Sequence, residues 1–135
     1  MRYILGIDQS TQGTKAILVD EAGQMIGRAD VPHRQIINEK GWVSHDPEEI
    51  YQNVKIAVRK VVGQTGISKA DICAMGISNQ RETTAIWTRD GQARNDAVVW
   101  QCSRAAAIAE RMQPYAELIR EHTGIPLSPF FPAEK

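Results

Sequence analysis

A carboxylate, three hydroxyls and a lysine fall within one short polar stretch, Asp8-Gln9-Ser10-Thr11-Gln12-Gly13-Thr14-Lys15. It lies between two apolar runs, Tyr3 to Ile7 and Ala16 to Val19. Such a set offers a carboxylate for a hydrated Mg²⁺. It also offers hydroxyl and backbone donors for phosphate oxygens, and a cation to offset their charge. The GxxxxGK[ST] pattern is absent, so any phosphate cradle here is not a Walker loop. By composition alone an ordinary polar turn is the commoner reading of such a stretch.

Two more constellations carry chemistry. Asn79-Gln80-Arg81-Glu82-Thr83-Thr84 follows the apolar run Asp71 to Ser78. Its adjacent Arg81 and Glu82 set a fork of donors beside an acceptor, which suits neighbouring hydroxyls of a polyol. The bland alternative is a solvated pair or a mutual salt bridge. In Ala97-Val98-Val99-Trp100-Gln101-Cys102-Ser103-Arg104, Trp100 either floors a sugar's carbon face or belongs to the core.

The elements that must position these residues are legible from pattern. Tyr3 to Ile7, Ala16 to Val19 and Met25 to Val31 read as three adjacent antiparallel strands. Asp20-Glu21-Ala22-Gly23 forms the second turn between them. Residues 33–44 read as irregular. Asp46-Pro47-Glu48-Glu49 is a helix start, with an Asp cap, Pro at the first position and acids in the first turn. The apolar stripe Ile50, Val54, Ala57, Val58, Val61 and Val62 continues that helix. Arg59 and Lys60 fall in its expected last turn, and Gly63 is its expected stop. Asp71 to Ser78 reads as a buried strand, with shorter strands at Thr83 to Trp87 and Ala97 to Trp100 and a turn at Arg89-Asp90-Gly91. Ser103 is placed to cap a helix through Met112, Pro114 to kink it or start another, and Gly124 to end it. The tail from Ile125 to Lys135 holds three of the six prolines.

Composition bounds the partners. Sixteen basic and 16 acidic residues cancel, so no bulk field draws in nucleic acid or an anionic membrane. Cys73 and Cys102 form neither a CxxC pair nor a zinc pattern. Cys73 reads as a small buried hydrophobe, and two unpaired cysteines fit a reducing, cytoplasmic setting. The apolar run at the N-terminus is too short for a signal or a span.

Order and spacing together resemble the FGGY family of carbohydrate kinases, nearest to its glycerol-kinase branch. DQSTQGTK is similar to that family's first phosphate-binding motif, and GWVSHDPEEIYQN to the stretch entering its first helix. GISNQRETTAIW and NDAVVWQCSRAA resemble its polyol-binding strand and the strand that follows. TGIPLSPFFPAEK resembles the segment that brings an aromatic residue to the substrate. The resemblance covers residues 1–135 and implies an α/β, ribonuclease H-like (actin/hexokinase-type) mixed sheet with helices. Within it would lie a phosphate-binding hairpin at 3–31, a first helix at 46–63, polyol-binding strands at 70–104 and a helical segment at 103–123.

The resemblance also implies an activity: transfer of the γ-phosphate of ATP, with Mg²⁺, to a hydroxyl of glycerol or a related polyol or sugar. Asp8 would face the metal through water. Thr11, Gln12, Gly13 and Lys15 would meet the nucleotide's phosphates. Arg81 and Glu82 would hold the acceptor's hydroxyls, Trp100 would be the apolar floor, and Phe130 stands where glycerol kinases carry a Tyr. No catalytic residue is expected within the chain. The base and the adenine site are expected beyond Lys135, making this an incomplete N-terminal half, inactive alone, of a protein that forms homo-oligomers in many relatives. Ser10 replaces a Gly, Gln12 a Thr or Ser, and Lys15 the usual Arg, which has a planar fork that Lys lacks. Alternatives of other kinds are a xylulose- or erythritol-type kinase, a non-catalytic polyol- or phosphate-binding module, and a ribonuclease H-like nuclease. The last would need carboxylate partners for Asp8, of which Asp71 and Glu82 are the candidates.

Overall fold

The computed structural model describes residues 1–135. The chain divides into two compact units: Met1–Arg34 with Asp46–Gln80, and Gln35–His45 with Arg81–Lys135.

The first unit begins as an antiparallel meander, β1 (Tyr3–Gln9), β2 (Gly13–Asp20) and β3 (Met25–Pro32). Alternation along β1 and β2 turns Leu5, Ile7, Ala16 and Leu18 to one face, as a half-buried sheet requires. The β2–β3 turn closes through Gly23, whose N–H donates to the Asp20 carbonyl at 3.0 Å. Helix α1 (Pro47–Thr65) then crosses over the sheet. Its cap is the expected one: Asp46 accepts from the N–H groups of Glu48 and Glu49. Its end is not. The helix runs through Gly63 and stops at Gly66, in the left-handed region at φ 67°, so Arg59 and Lys60 lie a turn before the end. Gly63 costs only propensity inside a well-packed helix, whereas Gly66 takes a conformation that side chains resist.

Ala57 and Val61 of α1 join Leu5, Ile7, Ala16, Leu18, Ala29 and Val31 in one core. Strand β6 (Ile72–Asn79) returns parallel to β1, and the sheet order is β3-β2-β1-β6. This strand is an exposed edge rather than the buried strand expected. Helix α1 packs on β2 and β3 and scarcely reaches β1. Met75 and Ile77, which pair in register with Leu5 and Ile7, are therefore about 60% exposed. Cys73 is exposed for the same reason, and Cys102 is the buried thiol.

The second unit holds a small sheet of order β4-β5-β7, from β4 (Ile36–Ile37), β5 (Val43–His45) and β7 (Ala97–Val98). Residues 33–44, expected to be irregular, thus contribute two short strands. The strand expected at Thr83 to Trp87 is reduced to isolated bridges, Thr84 with Val98 and Trp87 with Ala93. The expected strand through Trp100 ends at Val98. Ser103 does not cap: it opens a 3₁₀ turn, Ser103–Ala105, that leads into α2 (Ala106–Met112). Pro114 sits in a second 3₁₀ turn before α3 (Ala116–Thr123), which ends at Gly124 with φ 75°.

Candidate functional site

In the first unit the β1–β2 turn gathers the first constellation. Lys15 Nζ and Ser10 Oγ both donate to Asp8 Oδ2 at 2.8 Å, and Lys15 Nζ lies 3.0 Å from Ser10 Oγ. The Lys15 ammonium, then the Ser10 hydroxyl, hold the Asp8 carboxyl below the usual aspartate range. Asp8 is thus firmly ionised. Its side chain is half exposed, and its second oxygen takes neither of these bonds.

The turn itself is braced. Ser10 N–H donates to the Gly13 carbonyl at 2.9 Å, and His33 N–H to the Gln12 carbonyl at 3.3 Å. His33 Nε2 lies 2.8 Å from the Thr11 carbonyl, so that nitrogen carries a proton, because a carbonyl can only accept. Three successive carbonyls are therefore tied to the protein, which fixes the loop's shape. Gly13 is required by close approach: a Cβ there would lie 2.8 Å from the Val31 oxygen and 3.0 Å from Pro32 Cα. Asp8, Lys15 and Arg28 border an open groove of ≈ 620 Å³ on the sheet face away from α1, floored by Gly6, Ile17 and Gly76.

The second unit gathers the other constellation by main chain. Lys135 Nζ donates to the carbonyls of Phe130 at 2.7 Å, Trp100 at 3.0 Å and Glu82 at 3.2 Å. The Arg81 and Glu82 side chains are exposed and no ion pair joins them. Glu82 has φ 64°, a left-handed backbone in a non-glycine residue, which marks strain. Trp100 is 40% exposed and Phe130 45%, so neither is core. In the same unit Arg104 is locked, donating to Cys102 Sγ, the Val43 carbonyl and Ser44 Oγ. Burial pushes the Cys102 thiol up, but the bonds from Arg104 and the Val43 N–H outweigh it and leave the thiol below its usual range.

The structure thus brings Asp8, Thr11, Gln12, Gly13 and Lys15 onto one turn, and Glu82, Trp100 and Phe130 around one ammonium, with Arg81 beside them in the chain. Ser10 is one of the three hydroxyls of the polar stretch, but its bond to Asp8 is not foreseen there, and neither are the contacts of His33 and Lys135. Ser10 was legible as a hydroxyl two residues from Asp8. The other two act across long separations that spacing does not reveal. The nuclease reading loses its first candidate partner. Asp8 pairs with Ser78 at one end of β6, while Asp71 precedes the other end, about 20 Å away at the usual strand rise. No group of three metal-ligating side chains exists.

Comparison with known proteins shows the family and the fold. The N-terminal domain of the FGGY family of carbohydrate kinases matches residues 3–135. The chain belongs to that family. Among curated relatives, glycerol kinase 1 of Thermotoga maritima is 46% identical over 136 residues, covering 98% of this chain and 28% of that protein. The glycerol kinase of Fusobacterium nucleatum is 38% identical over 139 residues, covering 100% and 28%. The solved glycerol kinase of Plasmodium falciparum with ADP superposes with a TM-score of 0.89 at 33% identity, over 99% of this chain and 28% of that one. A ligand-bound xylulose kinase of Lactobacillus acidophilus superposes at 0.91 but with 24% identity, over 99% and 27%, and supports the fold alone. The chain spans about 28% of the length of the curated relatives it matches.

Proposed function

We propose that this chain forms the phosphate-cradling and acceptor-binding side of an ATP-dependent kinase, one that transfers the γ-phosphate to a hydroxyl of glycerol or a related polyol. The observation that carries the reading is the Asp8–Ser10–Lys15 cluster on a braced turn. Phosphoryl transfer depends on positioning and charge stabilisation more than on covalent help from the protein, and a fixed turn with an ionised carboxylate and a cation suits that task. Thr11, Gln12 and Gly13 line the cradle, and Lys15 offsets phosphate charge. A single half-exposed carboxylate fits a hydrated Mg²⁺ held through water rather than a direct cage. When bound, that ion would neutralise charge on the phosphates.

On the acceptor side, Arg81 and Glu82 would orient hydroxyls, with Trp100 and Phe130 against the carbon chain. Their exposure supports this, because core residues would be covered. No helix is long and apolar enough to cross a membrane, and the free cysteines favour the cytoplasm.

The test joins this chain to the carboxyl-terminal remainder of the Thermotoga maritima glycerol kinase 1 and follows ADP release with glycerol, erythritol and xylulose. Lys15→Met should raise KM for ATP with little change in KM for the polyol, and Arg81→Ala should do the reverse. An active chimera indifferent to both changes would sink the proposal.

A further inference from the structure

We infer that Lys135 is the positioning residue of the acceptor side: its ammonium ties the main chains of Glu82, Trp100 and Phe130 into one fixed arrangement. The inference rests on the acceptor role proposed above for those three residues, and it names what holds them. An ammonium has three protons and no acceptor. Here the three are matched by the carbonyls of Phe130, Trp100 and Glu82 at 2.7, 3.0 and 3.2 Å, which lie 5, 35 and 53 residues away in sequence.

Neither Glu82, Trp100 nor Phe130 is held by burial, since all three are exposed. Glu82 in addition keeps a left-handed backbone at φ 64°, which persists only where surroundings impose it. The bond from Lys135 to the Glu82 carbonyl is such an imposition. Trp100 is fixed a second time, its N–H donating to Thr83 Oγ1 at 3.2 Å, so the tether closes a loop through the NQRETT segment. Burial lowers the Lys135 ammonium below the ordinary lysine range, against the pull of Cys102, Glu82 and Glu134. A surface lysine waving in solvent would not be so placed.

The experiment compares Lys135→Met and Lys135→Arg with the unaltered residue in the chimera carrying the Thermotoga maritima remainder, by backbone ¹³C carbonyl NMR and by titration with glycerol and with ADP. In Lys135→Met the carbonyl signals of residues 82, 100 and 130 should move together. The dissociation constant for glycerol should rise more than tenfold while that for ADP stays within about twofold, since a lost charge-assisted contact weakens what it orients. Lys135→Arg, which still donates, should return the signals and the glycerol affinity part of the way. If Lys135→Met fails to fold, Lys135→Gln, which keeps one donor amide, is read in the same way. Carbonyl signals that stay in place, or that move without any change in glycerol affinity, overturn the inference. If the unaltered chimera binds neither glycerol, erythritol nor xylulose, the acceptor reading itself falls, and the carbonyl signals then decide the tether alone.

Discussion

Lys15 reaches Asp8 with one ammonium where a guanidinium would present a fork, so its grip is that of a point charge. The titration of Asp8 is the direct measure of that grip. Because Lys15 and then Ser10 lower the Asp8 pKa, the contact stabilises the fold above the unfolded aspartate value of about 3.9. It is lost as pH falls through the lower, folded value. Lys15→Met should therefore raise the midpoint of the Asp8 carboxyl signal toward the ordinary value, as ¹³C NMR would record. The pair is exposed enough that screening keeps its effect on melting small. An unmoved midpoint would mean that Lys15 points elsewhere in solution. On the acceptor side, Arg81→Ala in the chimera should lower kcat/KM more than tenfold, the equivalent of about 1.5–3 kcal/mol for a lost charged contact. Phe130→Tyr should improve glycerol more than xylulose, because an added hydroxyl reaches a small ligand and crowds a large one. If the glycerol-to-xylulose preference stays the same, Phe130 does not line the site.

At the scale of elements, sequence pattern and structure agree wherever the signal is local. The three-strand meander, the Asp46-Pro47 helix start and the stops at Gly23, Gly91 and Gly124 were legible because turn and cap chemistry acts within a few residues. The end of α1 was not, since tertiary packing carries the helix through Gly63. Nor was the exposure of β6, which depends on how far α1 reaches across the sheet. Thr83 to Trp87 has strand composition, yet it makes only single bridges. The phosphate-side residues were legible as a cluster because they share one turn. What joins Glu82, Trp100 and Phe130 was not, because the contacts span 35 and 53 residues. The cap at Asp46 gives the sharpest stability test. Its carboxylate accepts from Glu48 and Glu49 at 2.9 and 3.3 Å, and α1 supplies Ala57 and Val61 to the core. Asp46→Ala should cost about 0.5–2 kcal/mol and lower the Tm, while Asp46→Asn should recover most of it. Equal melting of all three would show that the helix start contributes nothing to folding.

At the scale of the molecule, the two constellations belong to different units, each organised around a lysine: Lys15 among side chains, Lys135 among carbonyls. Chemistry of the proposed kind needs a closed cleft that surrounds both nucleotide and acceptor. No side chain in the 135 residues is assigned as the base that would take the acceptor's proton, and the chain matches about 28% of the length of its curated relatives. The 135 residues by themselves should therefore show no ADP release above background with glycerol, erythritol or xylulose, even with ATP and Mg²⁺ in excess. Joined to the Thermotoga maritima remainder, the same residues should turn over. The comparison is informative because folding can be checked independently: Trp fluorescence and the Asp8 titration report each unit without catalysis. Substrate-dependent turnover by the 135 residues, with both reporters native-like, would mean that a base lies among their own side chains. Glu82, exposed on a strained backbone beside Arg81, would then be the first to substitute, and loss of that turnover in Glu82→Gln would move it from holding the acceptor to deprotonating it.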